Sequence, residues 1–138
     1  MVDPERVGER LARLDPLLAR LESTRRQGLE AYLGSPDDRL QTERALQLAL
    51  QICLDVAAHL VGELGLPPPE EYRQTFVRLG EAEVVPSVLA GRLADAAGLR
   101  NRLVHGYADL DDAQVFAALE SLDDLRAFAR AAATIAAS

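Results

Sequence analysis

An eight-residue stretch of the chain carries a guanidinium, a side-chain amide, an imidazole and a phenol. They belong to Arg100, Asn101, His105 and Tyr107. Cleaving RNA without a metal needs a base for the 2′-hydroxyl proton, an acid for the leaving oxygen and a cation for the charge on phosphorus. Histidine titrates near neutrality and serves as base or acid, and arginine suits a phosphate in its transition state. The stretch therefore has the residue types for phosphodiester chemistry.

A helix that ends near this stretch would decide which side chains meet. Asn101 and His105 are four residues apart and share a helix face, and Arg102 and His105 are three apart. Arg100 is five residues before His105, about 140° round an ideal helix. Basic side chains also stabilise helix carboxyl ends by capping and ion pairing, without further function. For Arg102 an exposed ion pair and a contact to an RNA phosphate both remain open.

The elements that must position this stretch are predicted to be helices. Alanine, leucine, glutamate and arginine dominate the chain, and no sustained period-two alternation indicates strands. We predict an all-α antiparallel bundle of four or five helices, one domain over residues 1–138. The helices are predicted at residues 4–33 with a kink or break at Pro16, 38–64, 69–79, from Pro86 to Val104 or His105, and from Asp111 or Asp112 to Thr134.

Apolar stripes on these segments predict the core. Arg100 falls in line with Leu89 and Leu93 of the fourth helix, so it needs an anionic partner or a cleft. The aromatic residues predicted in the core are Tyr32, Tyr72, Phe76, Phe116 and Phe128.

Composition excludes several classes of protein. The net charge of −7 argues against nonspecific coating of nucleic acid, although all fifteen basic residues are arginine and able to grip a phosphate bidentately. The single cysteine, Cys53, allows no internal disulfide and is predicted to be a buried thiol. Without a signal peptide or a run of ~18 apolar residues, a cytoplasmic protein without a membrane partner is predicted. The acidic run is interpreted as helix capping and a solvated face, or as a dock for a basic partner: Asp109, Asp111 and Asp112.

A second polar row lies on the second predicted helix. Asp55, His59 and Glu63 follow at intervals of four. A metal site would need a further Glu-x-x-His set that the chain lacks, so we predict neither a metal nor a cofactor. A polar stripe, a dimer contact, or support of the cleft by Asp55 and His59 remain as alternatives. Asp55 is a candidate buried partner for an arginine of the fourth helix.

The stretch Gly98–Tyr107 resembles the signature of the HEPN superfamily, and more closely that of the HepT-like toxin family. That pattern is arginine, a polar residue, three further residues, histidine, any residue and tyrosine, and each position matches. Similarity extends to the family's second helix and to the segment after it, and is least specific over the first thirty residues. The matching segments are Glu43–Gln47, Gln51–His59, Thr75–Glu81 and Val84–Pro86.

The resemblance implies a HEPN-like helical homodimer whose two motifs meet in one cleft. It further implies a metal-independent endoribonuclease, the toxin of a type VII-like toxin–antitoxin pair. By resemblance, Arg100 orients the phosphate, Asn101 supports it and His105 transfers protons. A partner nucleotidyltransferase is expected to silence the toxin by transferring AMP to Tyr107. The alternative hypothesis is a non-catalytic module that binds a nucleotide or assembles with the nucleotidyltransferase.

Overall fold

The computed structural model describes residues 2–106 and 110–138, which form helices and connections without a β-strand. The all-α fold class is confirmed, and each of the five predicted helical segments is present. Two of these segments are divided, one at Gly28 and one at Ala118. The elements are α1 (Pro4–Gln27), α2 (Leu29–Leu33), α3 (Pro36–Glu63), α4 (Tyr72–Glu81), α5 (Ser87–His105), α6 (Asp112–Ala117), a 3₁₀ turn (Ala118–Ser121) and α7 (Leu122–Ala136).

The first predicted helix divides at a glycine rather than at its proline. α1 continues through Pro16, which is exposed, while Leu14 and Leu18 beside it are buried. The proline removes one backbone hydrogen bond, and packing of the buried face on both sides offsets that loss. A break at Pro16 is therefore wrong. The chain separates α1 from α2 at Gly28, whose φ of 92° favours glycine.

α3 is the central helix of the bundle. It begins at Pro36, two residues earlier than predicted, because the Ser35 hydroxyl accepts a hydrogen bond from the Asp38 backbone N–H at 3.2 Å. By length and composition alone α3 could cross a membrane. More than half of that apolar stretch is buried against the other helices, as in the core of a globular bundle. The buried face thus ties α3 to α1, α4, α5 and α7.

α4 packs closely against α5 because of a glycine. A Cβ atom added to Gly80 would lie 2.6 Å from the Cβ of Ala90. α4 begins at Tyr72 rather than at residue 69, and Glu71 before it is extended and forms the N-cap. It ends at Glu81, two residues beyond the predicted end at residue 79.

Aromatic pairs join helices that are distant in sequence. The rings of Phe76 and Phe128 join α4 to α7 edge to face, with 5.5 Å between centroids. Tyr32 of α2 packs on Phe116 of α6 at 5.4 Å. Burial raises the pKa of Tyr32 to about 12, with a further contribution from Asp112. These four aromatics lie in the core or against it as predicted.

Cys53 is fully buried in α3, which confirms the predicted buried thiol. Burial raises the pKa of the thiol to about 12. The thiolate, the reactive form of cysteine, is therefore scarce at neutral pH.

Candidate active site at the carboxyl end of α5

The functional stretch predicted from the sequence lies at the end of α5. This helix ends at His105, and the Gly106 backbone N–H donates to the Arg102 carbonyl at 3.0 Å. The predicted end at Val104 or His105 is confirmed. Core packing continues along α5 as far as Leu103, so the start of the stretch is fixed to the bundle.

The side chain of Arg100 reaches both α3 and α4. Its Nε donates to Oε1 of Gln51 at 2.8 Å, and one Nη donates to Oδ1 of Asn101 at 3.2 Å. The Cζ atom lies 5.1 Å from the centroid of the Tyr72 ring, within cation–π range. Arg100 is half-buried rather than sealed in the core, and its partner on α3 is a neutral amide. The guanidinium is thus held from three sides.

Asp55 is one hydrogen bond removed from Arg100. The Gln51 Nε2 donates to Asp55 Oδ1 at 2.9 Å, and Arg10 of α1 donates to Asp55 Oδ2 at 3.2 Å. The side chain of Asp55 is 40% exposed and its ion pair is with Arg10. The expectation that Asp55 is a buried partner of an arginine on α5 is therefore wrong. Asp55 reaches that arginine only through Gln51.

Tyr72 and Asn101 line an open groove between α4 and α5, of about 430 Å³. Tyr72 is 50% exposed, so its predicted place in the core is wrong. Its ring serves instead as a surface for the Arg100 guanidinium. Asn101 is exposed in the same groove, and its amide oxygen is occupied by Arg100.

Arg102 lies on another side of α5. It lines a groove of about 300 Å³ together with residues of α3, α6 and α7. Within residues 2–106 and 110–138 its guanidinium makes no ion pair or hydrogen bond. The structure therefore separates Arg102 from the groove that contains Asn101. Its contact with an RNA phosphate stays a prediction.

His105 lies exposed at the last position of α5, and its imidazole makes no hydrogen bond to another described residue. Tyr107 and Asp109 fall outside the described residues. The structure thus brings Arg100 and Asn101 together, and places His105 on the solvent-exposed end of the same helix.

His59 of the polar row on α3 has a partner on another element. His59 Nε2 accepts a hydrogen bond from the Asp3 backbone N–H at 3.3 Å. Asp3 in turn caps α1 through the Glu5 N–H at 3.1 Å. His59 is therefore engaged with the start of α1.

Among the residues that the structure describes, no three His, Cys, Asp or Glu side chains group as a metal site. The acidic residue Asp111 caps α6, accepting from the Ala113 N–H at 2.9 Å.

A larger groove of about 580 Å³ runs between α1 and α3, beside the Arg100 network. Gln51 and Asp55 line it and connect it to Arg100. It contains three of the chain's arginines, spaced along one side of α1, over an apolar floor. These arginines are Arg6, Arg10 and Arg13, and the floor includes Leu17, Leu48 and Ile52.

Sequence reasoning missed three residues of this site, Arg10, Gln51 and Tyr72. Gln51 and Asp55 are four residues apart on a helix, so the sequence alone predicts that they share a helix face. Their link to α1 and α5 depends on how the helices are rotated in the bundle, which the spacing alone does not define.

The fold is shared with solved structures of low sequence identity. A tri-AMPylated HEPN toxin of Shewanella oneidensis, in complex with MNT antitoxin, matches over all of both chains with a TM-score of 0.84 and 23% identity. YutE of Bacillus subtilis, a cytosolic protein of unknown function, matches over 97% of this chain and 90% of its own, with a TM-score of 0.85 and 19% identity. The predicted HEPN-like bundle is confirmed.

Sequence relatives agree with the fold. The tRNA nuclease HepT of Aphanizomenon flos-aquae is 35% identical over 118 residues, which are 86% of this chain and 80% of that protein. The mRNA nuclease HepT of Shewanella oneidensis is 31% identical over 84 residues, 60% of this chain and 63% of that protein. The pattern of the family described as Ribonuclease HepT-like matches residues 14–132. The chain therefore belongs to the HepT-like ribonuclease family.

Proposed function

We propose that this chain is a metal-independent endoribonuclease and the toxin of a type VII-like toxin–antitoxin pair in the cytoplasm. Family membership and relatives named as tRNA and mRNA nucleases support the ribonuclease activity. The observation that carries the proposal is the Arg100 guanidinium, held by Gln51 and Tyr72 at a helix end that also bears the exposed His105.

Arg100 keeps donors available for a phosphate. A guanidinium has five N–H groups, and its contacts to Gln51 and Asn101 are made by Nε and one Nη. The remaining N–H groups can donate to phosphate oxygens and stabilise the extra charge in the transition state. The Asn101 amide nitrogen, whose companion oxygen is taken by Arg100, adds another donor on the groove side.

His105 is assigned the proton transfers. The 2′-oxygen attacks phosphorus after losing its proton to an imidazole, and the 5′-oxygen leaves with a proton from an acid. The products are a 2′,3′-cyclic phosphate and a free 5′-hydroxyl. Because Arg100 and His105 lie about 140° apart on an ideal helix, we propose that two copies form a homodimer whose motifs share one cleft. The Arg100 of one copy then works with the His105 of the other.

The proposed partner is a nucleotidyltransferase that transfers AMP to Tyr107. Support comes from the matching motif position and from the structural relative described as an AMPylated toxin with its antitoxin. A nucleotide two residues beyond His105 would bring negative charge and bulk to the arginines of the site. It would compete with RNA for the same cations.

The nuclease proposal is tested by RNA cleavage in excess EDTA with two matched variants. The chain has two histidines, so His105→Ala removes the proposed proton carrier and His59→Ala controls for loss of an imidazole elsewhere. We expect cleavage to cyclic phosphate ends by wild type and His59→Ala, and at least a ~100-fold loss in His105→Ala. Cleavage that EDTA abolishes, or that His105→Ala retains, contradicts the proposal. No cleavage, together with tight nucleotide binding, supports the non-catalytic module instead.

Modification is tested by intact mass after co-expression with a candidate nucleotidyltransferase partner. We expect mass added in steps of one AMP in the wild type and none in Tyr107→Phe. Tyr72→Phe is the matched control, since Tyr72 is an exposed tyrosine beside the described part of the site. Label that persists in Tyr107→Phe excludes that tyrosine as the acceptor.

A further inference from the structure

We propose that Gln51 is a positioning residue for Arg100, and that Asp55, paired with Arg10, fixes the orientation of the Gln51 amide. The part played by Arg100 in RNA cleavage rests on the proposed function. The arrangement of the four side chains does not, and it can be tested without RNA.

The two ends of the Gln51 amide differ in the hydrogen bonds they can make. Its oxygen only accepts hydrogen bonds and its nitrogen only donates them. An ionised Asp55 only accepts, so it takes the nitrogen of the amide, at 2.9 Å. That leaves the oxygen facing Arg100 Nε, at 2.8 Å. A flipped amide would set oxygen against carboxylate and N–H against guanidinium, two repulsive contacts in place of two hydrogen bonds.

Arg10 fixes the far end of this chain of contacts. It donates to the second oxygen of Asp55 at 3.2 Å, so both carboxylate oxygens have a donor. The Arg10 and Asp55 side chains are 36% and 40% exposed, and such a pair adds little to stability. Its effect is directional, because it holds the carboxylate in the plane that Gln51 requires.

These contacts fix the orientation of the Arg100 guanidinium. With Nε bound to Gln51 and the guanidinium over Tyr72, the plane of the group is set before a phosphate arrives. Without Gln51 the long side chain regains rotamer freedom, and each turnover must order it again. Because Arg100 is proposed to act in the transition state, its disorder should lower kcat strongly and change KM less.

The test uses one disruptive variant and one compensated pair. Gln51→Leu removes both hydrogen bonds at similar volume. In Gln51→Glu combined with Asp55→Asn, the new carboxylate accepts from Arg100 and from the new amide, whose oxygen accepts from Arg10. The net charge is kept, and only the middle hydrogen bond reverses its direction. Gln47→Leu, one turn earlier on α3, is the matched control for the same substitution without a hydrogen bond to a described residue.

Two measurements follow for each variant. Solvent exchange of the Arg100 Nε–H, observed by NMR and assigned with Arg100→Lys, should be slow in the wild type, faster by ~10-fold or more in Gln51→Leu, and slow again in the compensated pair. The kcat for RNA should fall ~10- to 100-fold in Gln51→Leu and recover to within ~3-fold in the pair. Gln47→Leu should change neither quantity.

Unchanged exchange in Gln51→Leu, or a compensated pair as impaired as the sum of its single variants, would overturn the inference. If Gln51→Leu does not fold, Gln51→Glu alone against the pair decides, since only the single variant sets two carboxylates together. If the wild type cleaves no RNA, the proposed function fails, and Nε–H exchange still decides the positioning role.

Discussion

The two ends of the motif differ in how the fold holds them. Arg100 is fixed by contacts to α3, α4 and its neighbour Asn101, five residues before the end of α5. His105 is the last residue of the same helix and is exposed, without a side-chain hydrogen bond to another described residue. The bundle thus preforms the Arg100 end of the site, which under the proposed function binds the phosphate. Under the proposed function, RNA or a second copy completes the proton-transfer half.

This difference has an energetic reason. An arginine side chain loses up to about 2 kcal/mol of rotamer entropy when it is ordered. For Arg100 much of this entropy is lost when the bundle folds. Less is therefore lost when a substrate binds or the transition state forms. An exposed imidazole at a helix end keeps its freedom, and it can adjust to groups outside this chain.

The largest expected effect separates the geometry of Arg100 from its charge. Arg100→Lys keeps the positive charge but loses the planar fork and the Nε–H that Gln51 accepts. We expect kcat for RNA to fall about 10²- to 10³-fold, as for the loss of a preorganised transition-state donor. The measurement is steady-state cleavage of a short RNA at fixed ionic strength.

Arg102→Lys is the matched control for that variant. Arg102 lies two residues further along the helix, exposed and in a separate groove. Its loss of the fork should change kcat by less than ~3-fold, because an exposed cation near RNA contributes mainly general charge. Wild-type kcat in Arg100→Lys would show that charge rather than positioning governs this end of α5, and equally large losses in both variants would remove the distinction between the two arginines.

A mixture of two inactive variants tests whether the His105 of each site comes from a second copy of the chain. Arg100→Ala and His105→Ala proteins are expected to be inactive alone. Mixed dimers that join Arg100 of one copy to His105 of the other hold one intact site. When the variants are mixed in equal amounts and pair at random, half of the dimers are mixed, and each has one intact site out of two. About a quarter of the wild-type rate should therefore return. A mixture that stays inactive would place both groups of each site within one copy, or require both motifs intact.

The fold of this chain could be predicted from the sequence more fully than the contacts of its candidate site. The apolar periods predict the helices and the end of α5 to within a few residues, because burial of one face dominates helix formation. Pro16 misleads, since the cost of a proline is one hydrogen bond that packing can offset, whereas Gly28 adopts a φ of 92° that breaks the helix.

The contacts around Arg100 show why the site was less predictable. The motif residues are adjacent in the sequence, so their types and spacing were visible. Gln51 and Tyr72 meet Arg100 from other helices, and their contacts depend on the rotation and depth of α3 and α4 in the bundle. Periodicity gives a helix face only to about a third of a turn, which is too coarse to select one hydrogen-bond partner.

A smaller effect should come from separating α4 from α5, which disturbs the Arg100 end alone. In Gly80→Ala the new methyl group would lie 2.6 Å from the Ala90 Cβ, so the two helices must shift. We expect the free energy of unfolding to fall by about 1–3 kcal/mol, as for overpacked cores. Urea denaturation measures the change, and Nε–H exchange at Arg100 should quicken.

Gly91→Ala on α5 is the matched control, because its added Cβ meets no atom within 4 Å. It should raise the free energy of unfolding by about 0.5–1 kcal/mol, since alanine favours helix over glycine. Destabilisation by both variants would point to the glycines' backbone rather than to the close approach of the helices.

The smallest effect concerns Tyr32, which packs α2 on α6. The hydroxyl of Tyr32 is buried and has no hydrogen-bond partner among the described residues. Tyr32→Phe should therefore raise the free energy of unfolding by about 1 kcal/mol near neutral pH. Its RNA cleavage should match the wild type, because no hydrogen bond or ring contact among the described residues links this ring to Arg100.

The same variant should also change how stability depends on alkaline pH. Burial raises the pKa of Tyr32 to about 12 in the folded chain, whereas an unfolded tyrosine ionises near ~10. Between these values the unfolded state binds fewer protons, so the free energy of unfolding falls as pH rises. Tyr32→Phe removes this part of the decline and leaves the part due to Cys53, whose pKa burial also raises to about 12. Urea titrations from pH 8 to pH 11 measure both slopes, and identical slopes would show that Tyr32 meets solvent or a partner in solution.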